Sequence, residues 1–174
     1  MIQYLILSLL LLTTASCDPA GSSSDASAEA AAATTTVILV RHAEKAAGED
    51  PELTAAGTER AKRLQLMLSE ADLAAVYSTD TRRTQATAGP TAQDHGLDIQ
   101  TYDASGLPAL AKNLVRSHAG RTVLVVGHSN TTPDLLTELV GPGATVTIDA
   151  EDFGTIYVVS ARRSGRGEFL HLRY

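Results

Sequence analysis

Val37-Ile38-Leu39-Val40-Arg41-His42-Ala43-Glu44 is the stretch that decides the fold of this chain. Its first four residues are an unbroken run of branched aliphatic side chains. A strand with one wet face alternates apolar and polar residues. A strand that is apolar at every position is buried on both faces, as the central strands of a parallel sheet are. The run stops at an arginine and a histidine, which places charged and nucleophilic groups at the strand's carboxyl end. Open α/β sheets hold their ligands at that edge.

Downstream, the same kinds of element recur. Thr54 can cap a helix in which Ala61, Leu64, Leu68 and Ala71 fall at helical spacing. Leu73 to Ser78 reads as a second strand. A helix from Arg82 to His95 follows, with a kink expected at Gly89-Pro90 and an end at Gly96. Ile99 to Tyr102 is a short strand. Leu107, Leu110, Ala111, Leu114 and Val115 form one helix face, and Val123 to Val126 is another doubly buried run. Pro133 suits the first turn of a helix that carries Leu135, Leu136 and Leu139. Ile156 to Val159 reads as a further strand, and the alternating segment Glu168 to Tyr174 as an antiparallel one with a wetter face. Strands alternating with helices predict an α/β fold, a three-layer α/β/α sandwich on a mostly parallel central sheet.

Upstream, the composition changes. Tyr4 to Leu12 is an apolar run, too short for a bilayer crossing of about 20 residues. Thr13, Thr14, Ala15 and Ser16 follow, and then Cys17, the one cysteine of the chain, so no internal disulfide can form. A short apolar run ending in small residues is an export signal. With a cysteine at its end it resembles a bacterial lipoprotein signal, and that resemblance implies lipidation of Cys17. Cleavage after Ala15 and an uncleaved anchor are the alternatives. Residues 18–35 carry three acids, no bases and no large apolar side chain. Such a segment cannot offset its ordering entropy by burial and reads as a flexible tether with a reach of about 20–25 Å. The expected organisation is a signal over 1–17, a tether over 18–35 and one catalytic domain over 36–174. The protein is then exported and tethered to a membrane by an N-terminal lipid anchor, in the periplasm or otherwise outside the cytoplasm.

The 174 residues are 44% apolar and 20% charged, with a net charge of −6 and no basic run. This excludes a nucleic-acid partner, which needs a cationic face. Yet positive groups converge locally. Strands ending in Arg41-His42, in Ser78-Thr79-Asp80 before Arg82 and Arg83, and in Gly127-His128-Ser129-Asn130 bring two histidines and at least two arginines to one sheet edge. Taken singly, each has a bland role: a structural histidine, a solvated arginine. Four together at equivalent topological positions point to a phosphoryl group, which arginine forks match in a bidentate way. A helix N-terminus there would add backbone N–H groups.

Leu39-Val40-Arg41-His42-Ala43-Glu44-Lys45 resembles the Arg-His-Gly signature of the histidine phosphatase superfamily, where Ala is a frequent substitute for the Gly. Leu53-Thr54 with Gly57 and Ala61, the Ser78-to-Arg83-to-Thr87-Ala88 element and Gly127-His128-Ser129 are similar to that family's later motifs, in the same order. The resemblance implies a phosphatase for a small phosphorylated substrate or a phosphoprotein. In it His42 attacks phosphorus and becomes phosphohistidine, while Arg41, Arg83 and His128 bind the three equatorial oxygens. It implies no cofactor and no metal, because the arginines supply the positive charge, and Asp80, Glu44 and the histidines show no ligand spacing. The proton donor for the leaving group is expected at Asp103, with Glu44 as the alternative and a turn or capping role as the bland reading of Asp103. Ser129 stands where the acid-phosphatase branch has an aspartate, which disfavours that branch. Only about 40 residues separate Ala88 from His128, which leaves no room for a helical cap and predicts an open site and a hydrolase. Two rival functions are a phosphate- or phospho-glycan-binding lipoprotein without turnover, and a serine hydrolase built on Ser129 with His171.

Overall fold

Residue-by-residue alternation along the first strand, β1 (Thr35–Arg41), divides the interior into two apolar clusters. Val37 and Leu39 belong to one cluster, Ile38 and Val40 to the other. Burying one such side chain contributes roughly 1.5–3 kcal/mol. The four together approach the whole stability margin of a typical domain, about 5–15 kcal/mol. The strand that ends in Arg41-His42 is therefore among the most firmly held parts of the molecule.

The computed structural model describes residues 33–163 and 167–174. The signal and most of the tether expected from the sequence lie outside these residues. After β1 come α1 (Ala55–Leu68), β2 (Leu73–Ser78), α2 (Arg82–Asp94), β3 (Ile99–Thr101), α3 (Leu107–Ser117), β4 (Thr122–Gly127), α4 (Thr131–Val140), β5 (Thr155–Ala161) and β6 (Glu168–Arg173). Leu64 and Leu68 of α1 and Ala88 and Ala92 of α2 cover one face of the sheet with Ile38, Val76 and Leu124. Leu110 and Leu114 of α3 and Leu135, Leu136 and Leu139 of α4 cover the other with Leu39, Tyr77 and Val125. This is the expected three-layer sandwich. Thr54 caps α1 as expected, its hydroxyl accepting from the Gly57 N–H at 3.1 Å.

The sheet order is β3-β2-β4-β1-β5-β6. The first four strands are parallel. β5 runs antiparallel to β1, and β6 antiparallel to β5. A parallel return would require the chain to re-enter at the strands' starting edge. Instead segment 141–154, without helix or strand, carries the chain back to the carboxyl edge, and β5 starts there with Ile156 opposite Val40. α2 is one continuous helix that contains Pro90, and Pro133 lies in the first turn of α4, as expected.

Candidate active site

β1, β2 and β4 end side by side, with Arg41 beside Gly127 and Ser78 beside Val126. His42 continues the ladder, its backbone N–H donating to the Gly127 carbonyl at 2.9 Å. The rings of His42 and His128 lie 5.5 Å apart at an interplanar angle of 68°. Backbone packing here is tight. A Cβ on Gly127 would meet the hydroxyls of Tyr102, Thr131 and Thr132 at 2.8–3.0 Å. A Cβ on Gly57 would lie 2.1 Å from the Glu44 carbonyl oxygen, so only glycine lets α1 support the loop after His42. Thr87 on α2 ties the same loop down: its hydroxyl accepts from the Ala43 N–H at 2.9 Å and donates to the Arg83 carbonyl at 2.7 Å.

His42 is 3% exposed. Its Nδ1 lies 2.8 Å from the Ala43 carbonyl, which can only accept. Nδ1 therefore carries the proton and Nε2 keeps its lone pair. Burial pushes the His42 pKa down to about 4; the Ala43 carbonyl opposes this, and the charges of Arg41 and Arg83 and the neighbouring His128 reinforce it. At neutral pH the ring is an unprotonated nucleophile.

Arg41 is 7% exposed. Its Nη1 lies 2.7–3.1 Å from the carbonyls of Asp149, Ala150 and Asp152, and its guanidinium sits 4.1 Å from the centre of the Phe153 ring. Burial lowers its pKa, and Glu151 and Asp152 oppose that. Its Nε is buried without a partner, and so is the Nε of Arg83. An unpaired buried donor costs about 1–3 kcal/mol, more when charged, so each guanidinium keeps a donor that no described residue satisfies. Arg83 Nη2 lies 3.4 Å from His128 Nδ1, while His128 Nε2 lies 2.9 Å from the Thr79 hydroxyl. Burial and the charges of Arg83 and Arg41 push the His128 pKa to about 4.

The site thus brings together Arg41, His42, Arg83 and His128. The other sequence-derived candidates fall differently. Asp103 reaches a groove beside His128, but it is exposed and its carboxylate accepts from the Ser105 N–H at 2.8 Å. That bond holds its pKa below the ordinary carboxylate value. A proton donor at neutral pH needs the opposite shift, so the geometry supports the turn role. Glu44 is bound to Arg60 through contacts of 2.6–3.0 Å, which also keep it ionised. At the N-terminus of α2 one backbone donor is already engaged: Asp50 accepts from the Arg82 N–H at 3.1 Å and lies 3.4 Å from Arg83 Nη1. Ser129 has no hydrogen bond to a histidine among the described residues, and His171 faces Thr155 on β5 at 3.3 Å. No group of three His, Cys, Asp or Glu side chains suited to a metal ion occurs among the described residues. Phe153 and the three carbonyls around it escape sequence reasoning, because their segment carries no periodic pattern. The one signal was an aromatic residue in a chain that is 4% aromatic.

A pH dependence follows from the His42 environment. A nucleophilic role for His42 requires the neutral ring, and its pKa lies near 4 instead of the usual 6.5. The acid limb of kcat/KM, which reports the free enzyme, is expected near pH 4 once the substrate's own ionisation is allowed for. A limb near 6.5 would show that the ring is solvated and not held as described.

The family model of the histidine phosphatase superfamily (branch 1) matches residues 37–104. No significant match was found among curated proteins. Among solved structures, the chain is similar to the protein histidine phosphatase SixA complexed with tungstate (21% identity, TM-score 0.66, covering 79% of this chain and 96% of that one). It is also similar to a mycobacterial glucosyl-3-phosphoglycerate phosphatase (15%, 0.67, 78% and 97%). A third is phosphoserine phosphatase from Entamoeba histolytica in complex with 3-phosphoglyceric acid (17%, 0.59, 80% and 97%). At these identities the likeness is one of fold.

Proposed function

We propose that this chain is a phosphatase of the histidine phosphatase superfamily, acting through a phosphohistidine on His42. The observation that carries the reading is the pairing of a neutral His42, its Nε2 lone pair free, with the unpartnered Nε–H groups of Arg41 and Arg83. In the first step the Nε2 lone pair attacks phosphorus and the bond to the leaving group breaks, that group departing with the electron pair. Negative charge spreads over three equatorial oxygens, held by Arg41, Arg83 and His128. In the second step water attacks the phosphohistidine, its proton passes to solvent, and the P–N electron pair returns to Nε2. In the free site His128 Nδ1 accepts from Arg83 Nη2; once a phosphoryl oxygen takes that Arg83 N–H, Nδ1 can carry a proton and donate to an oxygen, and the Thr79 hydroxyl then donates to Nε2.

With Asp103 and Glu44 both ionised, no carboxylic acid awaits the leaving group. The site therefore favours groups that leave without a proton from an enzyme acid, such as the imidazole of phosphohistidine, whose other ring nitrogen already carries a proton, and the carboxylate of an acyl phosphate. The arginines supply the charge that a metal would supply elsewhere, so the reaction is read as metal-independent. The test is turnover of 4-nitrophenyl phosphate by the purified protein in the presence of EDTA, with competitive inhibition by vanadate or inorganic phosphate. Loss of activity on chelation, restored by a divalent ion, overturns the metal-free reading. Failure of both oxyanions to bind overturns the site itself.

The same reading places the protein outside the cytoplasm, lipidated at Cys17. In support, the chain enters β1 at Thr35, at the sheet edge opposite the histidines. A seven-residue strand at about 3.3 Å per residue puts the site roughly 20 Å from that edge. A tether leaving there holds the catalytic edge away from the membrane, open to substrate.

A further inference from the structure

Beside His128 a groove of about 450 Å³ opens between the segment after β2 and the segment after β3. Its lining includes Asp80 and Asp103, together with Thr79, Thr81 and Tyr102, and no lysine or arginine. Neither carboxylate is ion-paired among the described residues. The groove shares His128 with the proposed phosphoryl seat. The site is therefore split by charge. Cationic groups face the phosphoryl position, and acidic and hydroxyl groups face the space next to it, where the rest of a substrate must lie.

We infer that this groove selects the carrier of the phosphoryl group. The substrate class is a phosphate ester or phosphoramidate whose carrier bears an ammonium or similar cation close to the phosphoryl group, and not one with a second phosphate or a carboxylate there. The inference rests on the phosphatase reading of the seat and adds the part of the substrate that the seat does not touch. Asp103 remains ionised because the Ser105 N–H stabilises its charge, so both walls repel an anion at neutral pH. A unit charge about 8 Å from a solvated carboxylate changes binding roughly twofold, so exchanging a cationic carrier for an anionic one changes it about fivefold per carboxylate.

The test uses the full-length protein and two ligands of similar size that differ in carrier charge, 2-aminoethylphosphonate and 2-carboxyethylphosphonate. Binding is measured by titration calorimetry beside inorganic phosphate, so no turnover is required. The wild type is expected to bind the aminoethyl compound at least tenfold more tightly. Asp80→Asn is expected to reduce that ratio about fivefold, and Asp80→Lys to abolish or invert it, with the affinity for inorganic phosphate changed far less than the ratio. Added salt should shrink the preference. Equal affinities in the wild type, or a ratio unmoved in both Asp80 variants while phosphate still binds, overturn the inference and leave the phosphatase reading standing. Absence of binding by phosphate itself overturns both.

Discussion

His42→Ala is expected to lower turnover of a phosphate ester by on the order of 10⁶-fold while the protein stays folded and still binds inorganic phosphate. The size of the effect follows from the role. Removing the nucleophile of a covalent hydrolase removes the whole two-step path, and what remains is the modest assistance of the binding groups. The structure explains why the fold should survive. His42 lies beyond the last residue of β1, and the apolar side chains that hold the strand, Val37 to Val40, precede it. The substitution loses one ring and its bond to the Ala43 carbonyl. The oxyanion donors of Arg41 and Arg83 are untouched, so phosphate affinity should persist and serves as the control for a native site. Rates with 4-nitrophenyl phosphate and a phosphate titration on the same preparation make the comparison. More than about a tenth of the wild-type rate in the variant would remove His42 as the nucleophile.

Arg41→Lys is expected to reduce kcat/KM by about 10²–10³-fold, the usual cost of a lost transition-state donor, and to lower thermal stability as well. The double effect distinguishes this residue from a simple anion ligand. Nη1 is taken up by the carbonyls of Asp149, Ala150 and Asp152, while Nε has no partner among the described residues and is the donor that the proposed phosphoryl seat would use. A lysine ammonium is a single point and cannot satisfy both sides at once. It also loses the flat stacking on Phe153. Phe153→Ala separates the two functions. It should loosen segment 141–154 and cost stability with a smaller loss in rate, because the guanidinium keeps its carbonyl anchors. An Arg41→Lys enzyme within tenfold of wild type would mean that Arg41 is an internal clamp and not a catalytic group.

Local patterns in the chain carried much of this. The apolar runs at Val37–Val40 and Val123–Val126 identified central strands, because burial on both faces demands apolar side chains at every position. The residues just past those runs, Arg41-His42 and Gly127-His128, were legible for the same reason: a parallel strand's carboxyl end is a defined place whatever the rest of the chain does. Thr54 was legible as a cap because capping depends on residues three positions apart. The helix start offered Arg82 and Arg83 alike, and the resemblance of the Ser78-to-Ala88 element to the family motif singled out Arg83. The acidic groups were harder. Asp103 lies at the right height along the chain for a proton donor, but its protonation depends on the Ser105 N–H and on open solvent, and neither is written in the type of residue at position 103.

By itself the sequence determined the layers, the sheet edge that carries the chemistry and the four side chains gathered there, because hydrophobic period and strand ends are properties of neighbouring residues. The tertiary structure alone decided which groups surround those four. Arg41 is anchored by carbonyls more than a hundred positions away, on a segment without periodicity that lies there because β5 runs antiparallel. Asp50 takes the Arg82 N–H at the start of α2, and the Ala43 carbonyl selects the tautomer of His42. Such contacts depend on distances between segments that share no local pattern. Hydrogen bonding and desolvation, which tune the nucleophile and its arginines, act only across those distances and arise only once the chain has folded.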